Sequence, residues 1–343
     1  MADITLGRVS APAEGRKWRP RVPYWLLRLA QILPVVFLIV ATNFFLLRLA
    51  PGDMADVMAG EAGAASMEYA DQLRQQFGLD APLLQQFLGY AGRILQFDLG
   101  WSFRNGQSVA SLILARLPAT VLLLVVSLTL AALIGSALGA LAALSRSRAV
   151  DFVISTLSTF GFATPLFWLG LMLIVLFSVH LGWLPSSGMY TLGERATGFA
   201  LVLDYAVHLV LPVLCLSTYY LAIYARLMRT SVKEVKSLDF VRTARAKGAS
   251  RERTIFRHIL PNAVLPVVTL TGLQFGALFS GSITVEAVFA WPGLGQLALG
   301  AVASRDLNLL LGILFVSSIF VLLVNFITDL SYRFFDPRVE LSK

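Results

Sequence analysis

The chain is short of charge. Only 14% of its 343 residues are Asp, Glu, Lys or Arg, against about 25% in a soluble domain. Six stretches contain none of the four: 29–47, 117–144, 152–179, 205–225, 259–285 and 307–328. Such runs exclude an ordinary soluble protein. The single cysteine, Cys215, excludes an intrachain disulfide. No lysine follows a glycine anywhere, so the phosphate-cradling sequence G-x-x-x-x-G-K-[ST] is absent. Three histidines (His180, His208, His258) lie scattered at the ends of runs and form no metal-ligand spacing.

What is present is hydrophobic length. The composition is 57% apolar with mean hydropathy +0.74. About 20 apolar residues cross the hydrocarbon of a bilayer, so each charge-free stretch predicts one membrane helix. The first begins near residue 29 and is too long for the apolar part of a signal peptide, which predicts a retained anchor. The fold class expected is an all-α integral membrane protein with six spans. The net charge of +8 resides in loops. Arg8, Arg16, Lys17, Arg19 and Arg21 precede the first span. Arg146 and Arg148 follow the second. Arg333, Arg338 and Lys343 follow the sixth. Basic loops remain cytoplasmic, so both termini are expected inside and residues 48–116 outside. The tail 1–28, the first span, the insertion 48–116, the core 117–330 and the tail 331–343 are the expected divisions. The insertion is too long to be structureless. Residues 67–77 read as one helix ended by Gly78, and Asp80 as the cap of a second helix through Tyr90, with Pro82 in its first turn.

Gly135-x-x-x-Gly139 and Gly272-x-x-x-Gly276 predict close helix packing. Trp291-Pro-Gly-Leu-Gly295 predicts a turn at the outer surface with the tryptophan at the interface.

Between the fourth and fifth spans lies a polar island. Residues 226–261 hold ten Lys or Arg against Glu234, Asp239 and Glu252. Asp239 or Ser237 can cap a helix running to Lys247. Gly248 suits the left-handed residue that closes it, and Ser250 can cap a second helix leading to Pro261. Two readings fit this helix–Gly–helix elbow: a basic knob for a cytoplasmic protein groove, or an amphipathic connector on lipid phosphates.

The island resembles the EAA loop of ABC-importer permeases. Arg242-Thr243-Ala244, Gly248 and Leu260-Pro261 keep its spacing, with arginine in place of the acidic residue and threonine in place of the first alanine. That form is similar to the subgroup serving dipeptides, oligopeptides and nickel. Arg48-Leu-Ala-Pro-Gly-Asp53, Phe77-Gly-Leu-Asp-Ala-Pro82, Asp98-Leu-Gly100, the stretch from Glu286 to Gly295, Arg305-Asp306 and Asp336-Pro-Arg338 match it as well. The resemblance covers roughly residues 24 to 340. It implies one of two permease subunits in a bacterial or archaeal inner membrane, paired with a homologous second permease. It also implies two cytoplasmic ATPase subunits, which bind ATP and Mg, and an extracytoplasmic substrate-binding protein. This chain itself would bind no cofactor, metal or nucleic acid and would not be an enzyme. The elbow would be the ATPase-docking and coupling point, formed by Asp239, Phe240, Arg242, Thr243, Ala244, Arg245, Lys247, Gly248, Ser250, Arg251, His258 and Pro261.

Rival classes find less support. A secondary carrier needs ionisable groups within its spans, and only Glu286, at the outer edge of the fifth, comes near. No selectivity-filter segment is evident for a channel. Asn43, Thr164, Gln274, Ser280, Ser282 and Glu286 are the candidates for a translocation path, with interhelical hydrogen bonding an equal alternative for each.

Overall fold

A computed structural model describes residues 24–49, 81–102, 104–191, 193 and 197–335. Among the described residues the fold is all-α apart from one minimal hairpin. In chain order, the first part comprises α1 (Tyr24–Leu49), α2 (Leu83–Leu95), β1 (Trp101–Ser102), β2 (Gln107–Ser108) and α3 (Val109–Leu144). Then come α4 (Arg148–Ala163), α5 (Leu166–Leu173, continuing through a wide π turn to His180) and α6 (Phe199–Ser237). The rest comprises α7 (Asp239–Ala246), α8 (Arg251–Thr254), α9 (Leu260–Ala263), α10 (Leu265–Val288), α11 (Leu294–Ser304) and α12 (Leu307–Phe335). Among the described residues, five helical stretches are long and apolar enough to cross a membrane, and the α4–α5 pair makes a sixth when counted as one span.

The α4–α5 pair is sharply bent. The sequence predicts one span over 152–179, but α4 and α5 meet at 105°. Pro165 has no N–H to continue the ladder, and the residue before a proline avoids helical angles. Thr164 accordingly sits at φ −78°, ψ 126°.

Other spans outrun their charge-free windows. The helix α6 has 39 residues and α3 has 36, lengths of about 58 and 54 Å at the α-helical rise. The hydrocarbon is about 30 Å thick. The excess of α6 carries Arg226, Arg229, Lys233 and Lys236 beyond the predicted end of the fourth span.

The core lies along α3 and α6. Leu123, Leu124 and Leu128 of α3 meet Leu216, Tyr220 and Tyr224 of α6, joined by Leu278 and Val285 of α10. The glycine pairs permit this contact as expected. A Cβ on Gly135 would lie 2.7 Å from the Leu221 carbonyl oxygen, and one on Gly139 would strike that of Ala225. Gly272 likewise gives way to Thr328 of α12.

The predicted helix 67–77, Gly78 and Asp80 fall outside the described residues. The second predicted helix exists but begins after Pro82 and runs to Leu95 rather than Tyr90. Ile94 explains the extension, since it is buried with Val40 of α1 and Phe315 of α12. The hairpin was not foreseen. It pairs Trp101 with Ser108 and Ser102 with Gln107, and Ser102 donates to the Asp306 carboxylate at the start of α12.

Candidate functional site

The elbow is built by three successive chain breaks. At the first, the Ser237 hydroxyl donates back to the Glu234 carbonyl at 2.7 Å and is therefore not a cap for α7. Leu238 is extended, and Asp239 is the first helical residue instead of the cap. Its charge still meets the positive end of the helix. Fully buried Val241 anchors α7.

The second break is at Gly248, with φ +82°. Its N–H donates to Arg245 O at 2.9 Å and that of Ala249 to Ala244 O at 3.1 Å. These are the paired bonds of a Schellman ending, whose left-handed residue is usually glycine. Ser250 then caps α8 as predicted, accepting from Arg253 N at 3.3 Å.

The third break is the wide π turn Ile255–Ile259 directly before Pro261. A proline inside a helix lacks one N–H, and a turn of i→i+5 pattern absorbs such an interruption. His258 lies half-buried within it, and its carbonyl accepts from Asn262 Nδ2 at 2.8 Å.

The base of the elbow is tied to three helices. Arg251 Nη2 donates to Leu144 O at 3.0 Å, closing the C-terminus of α3. Ser231 Oγ of α6 donates to Ala263 O at 2.9 Å. Arg229 Nη2 donates to Asp151 of α4 at 2.6 Å, and Lys233 joins at 3.4 Å. The tip, by contrast, is open. Arg242, Thr243, Arg245 and Lys247 are exposed and Ala244 is half-buried. Arg242 reaches Asp239 at 3.5 Å. Two aromatic rings stand clear of the chain, Phe240 at 42% and Phe256 at 71% exposure. Sequence reasoning missed the tie from Arg251 to α3 and the exposure of Phe256. No local pattern announces a partner 107 residues away.

The six path candidates divide. Asn43 is buried and donates to Leu311 O at 3.3 Å, joining α1 to α12. Ser282 is fully buried and donates to Phe279 O at 2.8 Å. Glu286 is fully buried as well. Each of these three directs its polar group into its own chain, as in the hydrogen-bonding alternative weighed above. Thr164 lies half-buried at the α4–α5 break, with its hydroxyl on Phe160 O at 2.7 Å. Gln274 is half-buried and Ser280 exposed, both on α10.

Around Glu286 the structure places a cage. Oε1 accepts from Thr120 Oγ1 at 2.8 Å. Oε2 accepts from Gly295 N at 2.7 Å and Gln296 N at 3.1 Å, the first amides of α11. Thr120 Oγ1 accepts in turn from Leu294 N at 2.7 Å. A side chain on Gly293 would collide with the Glu286 carboxyl. Trp291 is fully buried, with Nε1 on Ala119 O at 2.9 Å. The predicted turn is therefore present, but its tryptophan belongs to the core and not to the interface.

Residues 135–341 match the family described as binding-protein-dependent transport system inner membrane component. Residues 22–124 match the N-terminal family of the same membrane components. The chain is 40% identical over 329 residues to the di/tripeptide transport system permease protein DppB of Pseudomonas aeruginosa, covering 91% of this chain and 97% of that one. It is 37% identical to the oligopeptide permease AppB of Bacillus subtilis, over 92% and 99% of the two chains. It is 39% identical to the glutathione permease GsiC of Escherichia coli, over 92% and 98%. Among solved structures, an inward-facing MetNI methionine ABC transporter shares the fold at TM-score 0.54 and 19% identity, over 66% of this chain and 96% of that one. The chain thus belongs to the binding-protein-dependent transport system inner membrane component family, and is a multi-pass permease subunit of an ABC importer.

Proposed function

We propose that this permease imports peptides or small solutes of related chemistry. It forms the path with a second homologous permease and receives cargo from an extracytoplasmic binding protein. It takes its driving force from two cytoplasmic ATPase subunits, which bind ATP and Mg, through the elbow. Both termini lie in the cytoplasm. The observation that carries the coupling role is the division of the elbow into a tethered base and an open basic, aromatic tip. A push on α7 passes through Arg251 to α3, through Ser231 to α6 and along the chain into α10. Relatives named for di/tripeptides, oligopeptides and glutathione support the cargo class.

The exposed face of α10 supports a path along that helix. It carries Thr269, Leu273, Ala277 and Ser280. The large exposed apolar residues of α1 include Leu33, Val35, Phe37, Leu38, Phe45 and Leu46, a surface suited to lipid. Thr164, Gln274 and Ser280 are the polar groups retained for solute contact.

The test is reconstitution. Chain purified with its native partners into proteoliposomes should take up labelled dipeptide or tripeptide only with ATP and binding protein. Uptake by the lone chain without ATP would overturn the energy source, and ATP-driven uptake of other solutes alone would overturn the cargo class. Cysteines at Ser186 and Lys247 should label from opposite faces of the membrane; labelling of both by an impermeant reagent in intact cells would overturn the orientation.

A further inference from the structure

The Glu286 cage joins three helices at one buried point. Its donors come from α3 (Thr120) and α11 (Gly295, Gln296), and Glu286 itself stands on α10. Thr120 has one hydroxyl proton. Because its oxygen accepts from Leu294 N, that proton is directed to Glu286. Thr120, Gly295 and Gln296 thus each present a donor to Glu286, an arrangement that suits a carboxylate. No Lys or Arg pairs with Glu286 among the described residues. Its charge is met by amides at the start of an eleven-residue helix, the end that favours an anion.

The dependence runs both ways. Gly293, in the cap position of α11, has no side chain to satisfy those amides, so Glu286 does so from another helix. Trp291 adds two further bonds, N–H to Glu286 O and Nε1 to Ala119 O, each 2.9 Å. Gly293 and Gly295 supply the room, since a Cβ on either would strike Glu286. The far end of α11 is fastened as well. Arg305 turns at φ +57°, and Asp306 caps α12 at Leu309 N, 3.1 Å, while accepting from Ser102.

A helix of eleven residues is too short to span the bilayer. Placed between two spanning helices, it has the form of a lid. A lid would have to pull its amides off a buried carboxylate, leaving both sides without partners. We infer that Glu286 is a positioning residue that fastens α3, α10 and α11 into one body, which moves as a unit while the importer cycles. The outer opening must then form along another edge of this body. The inference rests on family membership and not on the identity of the cargo.

The experiment uses the full complex in nanodiscs, with binding protein isolated from the native cell together with the solute it carries. The readout is ATP hydrolysis per assembled complex, with and without that protein. A bismaleimide tether between cysteines at Leu117 of α3 and Leu297 of α11, which pack on one buried cluster, should leave the stimulation ratio within about twofold of untethered protein. Loss of stimulation on tethering would show that α11 moves against α3 and would overturn the proposal. Glu286→Gln should lower the ratio at least fivefold while basal hydrolysis persists, because a carboxamide turns its own donors on part of the shell. Thr120→Ser should keep the ratio and Thr120→Val should lower it. An unchanged ratio in Glu286→Gln would equally overturn the proposal. If that variant fails to assemble, the tether decides.

Discussion

The elbow and the Glu286 cage are both polar assemblies on a chain with little charge, yet they are built in opposite senses. The elbow turns its polar groups outward. Its tip holds exposed Arg242, Arg245 and Lys247 and uncovered Phe240 and Phe256. The cage turns every polar group inward, with Glu286, Thr120 and Trp291 all fully buried. In a bilayer a polar group without a partner is costly, so the cage has to be complete within the chain. The elbow tip leaves its polar groups exposed, and under the proposed coupling role another surface meets it. Overpacking or emptying the cage should therefore appear as lost assembly or stability, and change at the elbow tip as lost association.

The largest effect should come from Gly293→Val, which drives a branched side chain into the Glu286 carboxyl. Overpacking a tight site costs about 1–3 kcal/mol or more, and displacing the buried carboxylate adds to it. Little folded permease should survive detergent extraction, and thermal-shift traces of what remains should fall well below wild type. A wild-type melting profile would show that the cage is looser than its geometry.

Trp291→Ala comes next. Removing a fully buried tryptophan costs about 3–5 kcal/mol where the site cannot collapse. The loss should again appear in thermal stability of the complex, without selective loss of the ATPase subunits.

Gly248→Val sharpens the contrast from the other side. A Cβ there meets nothing within 4 Å, but φ is +82°, a conformation that β-branched residues avoid. The expected cost is about 1–2 kcal/mol of local strain. Insertion and pairing with the second permease should be normal, while ATPase subunits should be lost on purification and uptake should stop. Full retention with full uptake would favour the lipid-facing connector over the docking knob.

Arg251→Ala tests the tether from elbow to α3. It removes a charge-assisted bond to Leu144 O, worth about 1.5–3 kcal/mol where buried and less at this exposed position. ATPase retention should persist while hydrolysis and uptake become partly uncoupled. The smallest effect belongs to Arg242→Glu, whose exposed pair with Asp239 is worth about 0–1 kcal/mol. Stability should not change, and ATPase retention should weaken mainly at low salt.

The features legible in the sequence are those set by local chemistry. Charge-free runs announce six crossings. The spacing from Ser237 to Ser250 announces two helices around a left-handed Gly248, and the structure supplies both. Gly135 and Gly139 announce a close helix contact. The features that escaped depend on distant residues. Nothing beside Glu286 reveals that Thr120 and the amides of Gly295 and Gln296 will enclose it. Trp291 followed the habit of interfacial tryptophans until Ala119 supplied its acceptor. The Thr164–Pro165 break was open to local reading, but proline alone does not decide it. Pro34, Pro118 and Pro212 lie inside continuous helices.

That break has a consequence for biosynthesis. As the ribosome delivers it, the stretch 152–179 is an uninterrupted apolar segment, and an insertion channel that reads hydrophobic length should release it as one crossing. The contacts that hold the bend come later in the chain. Arg229 grips Asp151 at one end, Thr218 lies against Gly161, and Cys215 donates to Leu166 O beyond the corner. All three partners are on α6. A nascent chain stopped before α6 should therefore hold a straight third crossing, and completion of α6 should fold it over. On that expectation the corner at Pro165, though favoured locally, would be fixed only once α6 is in place, and maturation would be stepwise even though each segment enters in order.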